Sequence, residues 1–213
     1  MKFESFLKSI VKIENLPLPA ETSQFKMSPP YRADLIKLQA ERIKKARKSA
    51  VMALFYSNQE GETYLILILR KTYKGVHSAQ VGFPGGKLEA NETNQQAALR
   101  ETEEEIGVKQ QTVTVLKALT EMYIPSSNFY VKPFIGIVKT TPEFIKQDTE
   151  VDSLLEINLD HFLSDTVITT KIVTLANGLE VSVPAYNLNS HLVWGATAMM
   201  LSEVKDLLKA SFK

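Results

Sequence analysis

Gly85-Gly86-Lys87-Leu88-Glu89-Ala90-Asn91-Glu92, continued by Arg100-Glu101-Thr102-Glu103-Glu104-Glu105-Ile106-Gly107-Val108, is the stretch that decides how this chain folds and what it does. Thr93 and Gln96 form a capping-box pair, so a helix starts there, with Ala97, Ala98 and Thr102 on one side. Gly107 is the natural stop. At about 100° per residue, Glu101, Glu104 and Glu105 fall within an arc of roughly 100°, and Glu103 points well away. Like charges at these spacings repel by a few tenths of a kcal/mol per pair, roughly, so helix stability alone does not favour the arrangement. An isolated acidic run would be an ordinary solvated helix face. Here Gly85-Gly86 precedes it, where backbone freedom lets main-chain groups approach a phosphate or a cation. Arg100 stands beside the acids and can fix a carboxylate, and Glu92 reads as a tie between loop and helix. The pattern calls for a hard divalent cation, Mg²⁺ or Mn²⁺, held by oxygen ligands.

Working outward, residues 50–56 and 63–70 are aliphatic and aromatic runs around the turn Asn58-Gln59-Glu60-Gly61, a hairpin signature. Further strands are expected at 112–122 and 129–138, and at 167–174 and 179–186 around Asn177-Gly178, with a last amphipathic helix from Gly195. Upstream, Leu35, Ile36, Ala40 and Ile43 recur at helical spacing, so one helix is expected over 33–48. Its basic end, Lys44, Lys45, Arg47 and Lys48, reads as a solvated face. The class is mixed α/β.

Composition narrows the rest. The 213 residues carry a net charge of +1, which argues against general affinity for nucleic acid or an anionic membrane. With no Cys, disulfides, thiolate nucleophiles and cysteine zinc sites are excluded, and a cytoplasmic location is expected. The three histidines match no zinc spacing. Apolar runs fall far short of the roughly 18 residues a membrane span needs. Charges through the first eight residues argue against a signal peptide.

The quoted stretch resembles the Nudix box, G-x5-E-x7-R-E-U-x-E-E-x-G-U, from Gly86 through Glu92, Arg100, Glu101, Glu104, Glu105 and Gly107 to Val108. Thr102 alone departs, standing where an aliphatic belongs. Seven fixed positions give a chance match on the order of 10⁻⁸ per window, so the resemblance is specific. It implies an α/β/α sandwich around a mixed β-sheet, here a Nudix hydrolase domain over 49–213 behind an N-terminal helical extension over 1–48. It also implies hydrolysis of a nucleoside diphosphate linked to another moiety. Glu101, Glu104, Glu105 and the Gly86 carbonyl become the metal ligands, and Arg100, Glu101 and Glu104 the catalytic residues. The general base is left open between a box glutamate, Glu143 and Glu150.

The flanks bear on substrate. Residues 66–86 are similar to the element upstream of the box in coenzyme A pyrophosphatases, L-L-T-x-R-[SA]-x3-R-x3-G-x3-F-P-G-G. Arg70 and residues 83–86 agree. Lys71 replaces Ser or Ala, Gly75 stands where the second Arg belongs, Ala79 replaces Gly, and Lys74 can supply the missing cation. Pro125-Ser126-Ser127-Asn128-Phe129 and Val193-Trp194-Gly195 also look like this subfamily. The resemblance implies a small-molecule nucleotide substrate of the coenzyme A type, contacted by Arg70, Lys71, Lys74, Phe83 and Gly85. The cations of this element carry a further expectation, that at least one of Arg70, Lys71 and Lys74 reads a 3′-phosphate. A homodimer is left open. Hydrolysis of ADP-ribose or a dinucleotide cofactor is the nearer alternative, and a non-catalytic nucleotide-binding module the farther one. The role of the first forty residues stays open.

Overall fold

The computed structural model describes residues 1–71, 80–175 and 177–212. In chain order the helices are α1 (Phe3–Ile10), α2 (Ala20–Gln24), α3 (Arg32–Leu38), α4 (Ala40–Ile43), α5 (Asn94–Ile106), α6 (Leu159–Leu163) and α7 (Gly195–Ser211). The strands are β1 (Arg47–Ser57), β2 (Thr63–Arg70), β3 (Val81–Gly82), β4 (Gly85–Lys87), β5 (Val113–Ala118), β6 (Met122–Ile124), β7 (Phe129–Val138), β8 (Val151–Asn158), β9 (Ile168–Thr174), β10 (Glu180–Leu188) and β11 (His191–Trp194). The larger sheet runs β3-β2-β1-β7-β5, with β8 on β2, β6 on β7 and β4 on β1. A separate antiparallel sheet runs β11-β10-β9. The β1–β7 pair is parallel and its neighbours are antiparallel, so the sheet is mixed.

Why β1 is apolar throughout follows from where it lies. Ala50, Met52, Leu54 and Tyr56 pack with Ala97, Ala98 and Ile106 of α5, whereas Ala53 and Phe55 face a second core with Met199, Leu201 and Val204 of α7. A strand buried on both faces loses the polar alternation of a half-exposed one. The result is the expected sandwich, α5 on one side of the mixed sheet and α7 on the other.

The N-terminal segment joins that second core. Phe3, Phe6, Ile10, Ile13 and Met27 are buried in it. Polar groups clamp the segment to α7: Ser202 Oγ donates to the Ser23 carbonyl at 2.7 Å, and buried Glu203 accepts from Gln24 Nε2 at 2.9 Å.

Two expectations need correction. The single helix over 33–48 does not form. α3 stops at Leu38, Gln39 leaves helical geometry at φ −108°, and Arg47–Lys48 already belong to β1. The physical reason is that neither α3 nor α4 buries a residue, so no packed face holds them in register, and Arg47 is recruited into pairing opposite Phe129. The strand over 112–122 is likewise two strands. Between them Leu119 N–H donates to the Pro133 carbonyl, and Thr120 donates through N and Oγ1 to Glu203. Among the described residues no helix is long and apolar enough to cross a membrane.

One feature of the sheet positions the site. β1 and β2 pair over residues 54–57 and then part. β4 becomes β1's partner at residues 49–51, and β3 becomes β2's at residues 68–69. The two glycines of β4 are thereby set into a seam of the sheet.

Candidate active site

The helix that carries the acidic run, α5, is fixed at both ends. Thr93 and Gln96 exchange the reciprocal capping bonds, and Gly107 closes α5 in the left-handed region at φ +77°. Its inner face carries Ala97, Ala98, Thr102, Glu105 and Ile106. Thr102, the one departure from the box, is fully buried, and its hydroxyl donates to the Ala98 carbonyl at 2.6 Å, so the extra polar atom is satisfied within the helix.

Glu105 is 2% exposed. One oxygen accepts from Arg70 Nη1 at 2.8 Å and the other from Gly85 N–H at 2.8 Å, while Arg70 Nη2 donates to the Gly85 carbonyl at 2.7 Å. Burial nevertheless pushes the Glu105 carboxyl up to about 7, against the pull of the Arg70 charge and the Gly85 N–H. The expected phosphate contact Arg70 is thus engaged inside the protein.

Arg100 gathers the other acids. Nε lies 2.9 Å from Glu92 Oε1, and Nη1 is 2.9 Å from Glu101 Oε1 and 3.0 Å from Glu104 Oε2. Nη2 reaches the Lys87 carbonyl at 3.1 Å. Glu92 also accepts the Glu89 N–H, tying loop to helix, and Arg100 holds its carboxyl below the usual range. Burial raises Glu101, offset in part by its hydrogen bond from Arg100. Glu103 faces away, pairing with Lys109 at 2.9 Å and the Gln110 N–H.

The glycines of β4 are required by contact. A Cβ on Gly85, at φ +146°, would fall onto the Ala50 carbonyl and Val51 Cα. One on Gly86 would fall onto the Glu101 carboxylate. The Gly86 backbone therefore lies directly against one of the box acids.

Glu101, Glu104, Glu105, Arg70, Arg100, Gly85 and Gly86 line one cleft, with Lys87, Glu89, Gln147 and Glu150. Glu150 is close enough for its charge to raise Glu101 further, whereas Glu143 is not part of the lining. Among the described residues no three acidic side chains form a ready-made cation cage; Arg70 holds one oxygen of Glu105, and Arg100 one each of Glu101 and Glu104. The donor set, three carboxylates and a carbonyl in a recessed cleft, fits a hard divalent cation once those arginine contacts are exchanged.

A second cavity, about 390 Å³, meets the cleft along Arg70 and β4. Its lining is mostly apolar, with Phe83, Phe129, Trp194 and Met200, and includes Ser126 and Ser127 at the turn before β7. Lys71 lines neither space; its backbone N–H donates to the Glu150 carbonyl. Lys74, Gly75, His77 and Ala79 lie outside the described residues. Sequence reasoning did not find the cavity's remaining wall, Pro29, Tyr31, Arg32 and Leu35 from the N-terminal segment. No motif marks them, since their proximity to the box arises only from tertiary packing.

The family model for the NUDIX domain matches residues 46–164, more than half the chain. This chain belongs to the NUDIX family. The Nudix relatives include Nudix hydrolase 15, mitochondrial, of Arabidopsis thaliana, 32% identical over 124 residues, covering 57% of this chain and 43% of that protein. The chain thus spans less than half the length of that relative. A protein of Yersinia pestis (strain Pestoides F), described as "Uncharacterized Nudix hydrolase NudL", is 32% identical over 148 residues, covering 66% of this chain and 70% of that one. Among solved structures, RenU, a Nudix hydrolase from M. smegmatis, shares the fold at TM-score 0.53 and 15% identity, covering 78% and 87% of the two chains.

Proposed function

We propose that this Nudix protein hydrolyses the pyrophosphate bond of coenzyme A or a derivative, giving 3′,5′-ADP and 4′-phosphopantetheine or its acyl form. The observation that carries the reading is that β4 borders two spaces at once, an acidic cleft and a largely apolar cavity. A diphosphate lying along Gly85–Lys87 would have its phosphoryl groups at the carboxylates and its organic portion in the cavity. The partial likeness of residues 66–86 to the coenzyme A element supports that choice of substrate.

Glu101, Glu104, Glu105 and the Gly86 carbonyl would hold Mg²⁺ or Mn²⁺. Bound there, the cation supplies charge neutralisation at the phosphoryl oxygens and a lowered pKa for the attacking water. The protein's own groups do the rest. Arg100 orients Glu101 and Glu104, and Arg70 with Gly85 N–H fixes Glu105. A carboxylate at the cleft wall takes the proton from water as its oxygen attacks phosphorus and the bridging P–O bond breaks. Glu150 is better placed for this than Glu143, since it lines the cleft.

Purified protein with Mg²⁺ or Mn²⁺, incubated with coenzyme A, ADP-ribose, NADH and dGTP and analysed by product mass, tests the reading. Coenzyme A should yield 3′,5′-ADP. Turnover of ADP-ribose or NADH alone would replace the substrate, and turnover of none would overturn the hydrolytic reading.

A further inference from the structure

Arg32 opens α3 in the N-terminal segment and lines the apolar cavity but not the acidic cleft. Its hydrogen bonding is incomplete. Nη2 donates to the Tyr123 carbonyl at 2.5 Å, while the buried Nε has no partner. Arg32 enters no ion pair among the described residues, and the Glu21 charge favours its charged form without forming one. Burial correspondingly pulls the guanidinium pKa down. A second orphan lies in the same wall: the Ser127 hydroxyl is buried without a partner. Buried donors are normally satisfied, and a cation in an apolar recess is costly unless an anion meets it. Arg70, by contrast, has both Nη1 and Nη2 bound, to Glu105 and to the Gly85 carbonyl.

We infer that Arg32 is a specificity-determining residue that pairs with a phosphate monoester on the part of the nucleotide seated in the cavity, with Ser127 as a neighbouring hydrogen-bonding group. This rests on the proposal that the substrate is a nucleoside diphosphate derivative. Some such molecules carry, beyond the pyrophosphate itself, a ribose phosphate, at the 3′ position as in coenzyme A or the 2′ position as in NADPH. A guanidinium suits it because its planar fork matches phosphate oxygens.

The test uses the whole chain as wild type, Arg32→Gln and Arg32→Lys. Calorimetric binding of 3′,5′-ADP, 2′,5′-ADP and 5′-AMP separates the two phosphate positions without turnover. Wild type should prefer one bisphosphate over 5′-AMP by about 10- to 100-fold, as for a charge-assisted contact. Arg32→Gln should erase that preference, and Arg32→Lys should restore part of it. In kinetics, coenzyme A against dephospho-coenzyme A, and NADPH against NADH, should show Arg32→Gln raising KM of the phosphorylated member at least tenfold more than that of its partner. No preference in the wild type, or equal losses for all three ligands, overturns the inference. Binding preference without any hydrolysis would instead remove the proposed activity and leave Arg32's role standing.

Discussion

Arg70 Nη1 lies 2.8 Å from Glu105 Oε1, and the same guanidinium reaches the carbonyl of Gly85, whose N–H donates to the other oxygen of Glu105. One arginine thus locks a helix carboxylate to the strand in the seam. Removing one partner of a shielded pair leaves an uncompensated charge, worth about 3–5 kcal/mol when burial is complete and less here because Arg70 is partly exposed. Arg70→Ala should therefore lower stability, more at pH 8 than at pH 5, where Glu105 holds its proton. It should also penalise coenzyme A and dephospho-coenzyme A alike. Urea melts at the two pH values and kcat/KM for the two substrates check this; a selective loss on coenzyme A would return phosphate reading to Arg70.

The pH dependence of Glu105 has a definite sign. Its folded pKa is raised from 4.5 to about 7, so between those values the native state keeps a proton that the unfolded chain has lost. Stability then falls as pH rises through that window and levels off above it. Glu105→Gln cannot titrate. In EDTA, the unfolding free energy of wild type relative to Glu105→Gln should decline from about pH 4.5 to 7, and a flat difference would contradict the burial argument.

Glu104→Gln or Glu105→Gln should cut turnover by at least about a hundredfold, because Gln keeps the volume and loses the ligand charge. Glu103→Gln should do little, since Glu103 faces Lys109 on the exposed side. Steady-state rates of the three variants decide it, equal damage at Glu103 being the adverse result.

Full activity in EDTA, unchanged by added Mg²⁺ or Mn²⁺, would count against the cation. The expected outcome is loss of turnover on chelation and recovery on readdition, measured as product formed per minute.

The paired glycines separate folding from chemistry. Gly85→Ala strains a positive φ and presses a methyl on the β1 backbone, so it should lower the melting temperature or prevent folding. The nearest atoms that Gly86→Ala meets are at the end of the Glu101 side chain, which can swing aside. It should retain most of its thermal stability while losing activity, as melting curves and rates on the same preparations would reveal.

How much of this was legible in the chain depended on whether the signal was local. The α5 cap, its Gly107 stop and the facing of Glu101, Glu104 and Glu105 are set by residues within one helix, and the hairpin of β1 and β2 by one turn. β8 went unread because its Val-Asp-Ser-Leu-Leu-Glu-Ile-Asn run breaks strict alternation. β3 and β4 are too short to carry a period, and α1 earned its place through Phe3, Phe6 and Ile10, whose partners lie far along the chain. The same holds for Arg32: a helical residue two places after a Pro-Pro pair has no spacing that relates it to the box.

The clamp between the N-terminal segment and α7 has an engineering consequence. The acids and glycines of the cleft come from the middle of the chain, whereas Tyr31, Arg32, Trp194 and Met200 on the cavity wall come from its two ends. Ser202–Ser23 and Glu203–Gln24 bind those ends into one unit. The two termini can therefore be exchanged together, as a matched cassette taken from a relative, to change which molecules are admitted while the acidic cleft is inherited intact; exchanging either end alone would break the fastening that holds the wall in place.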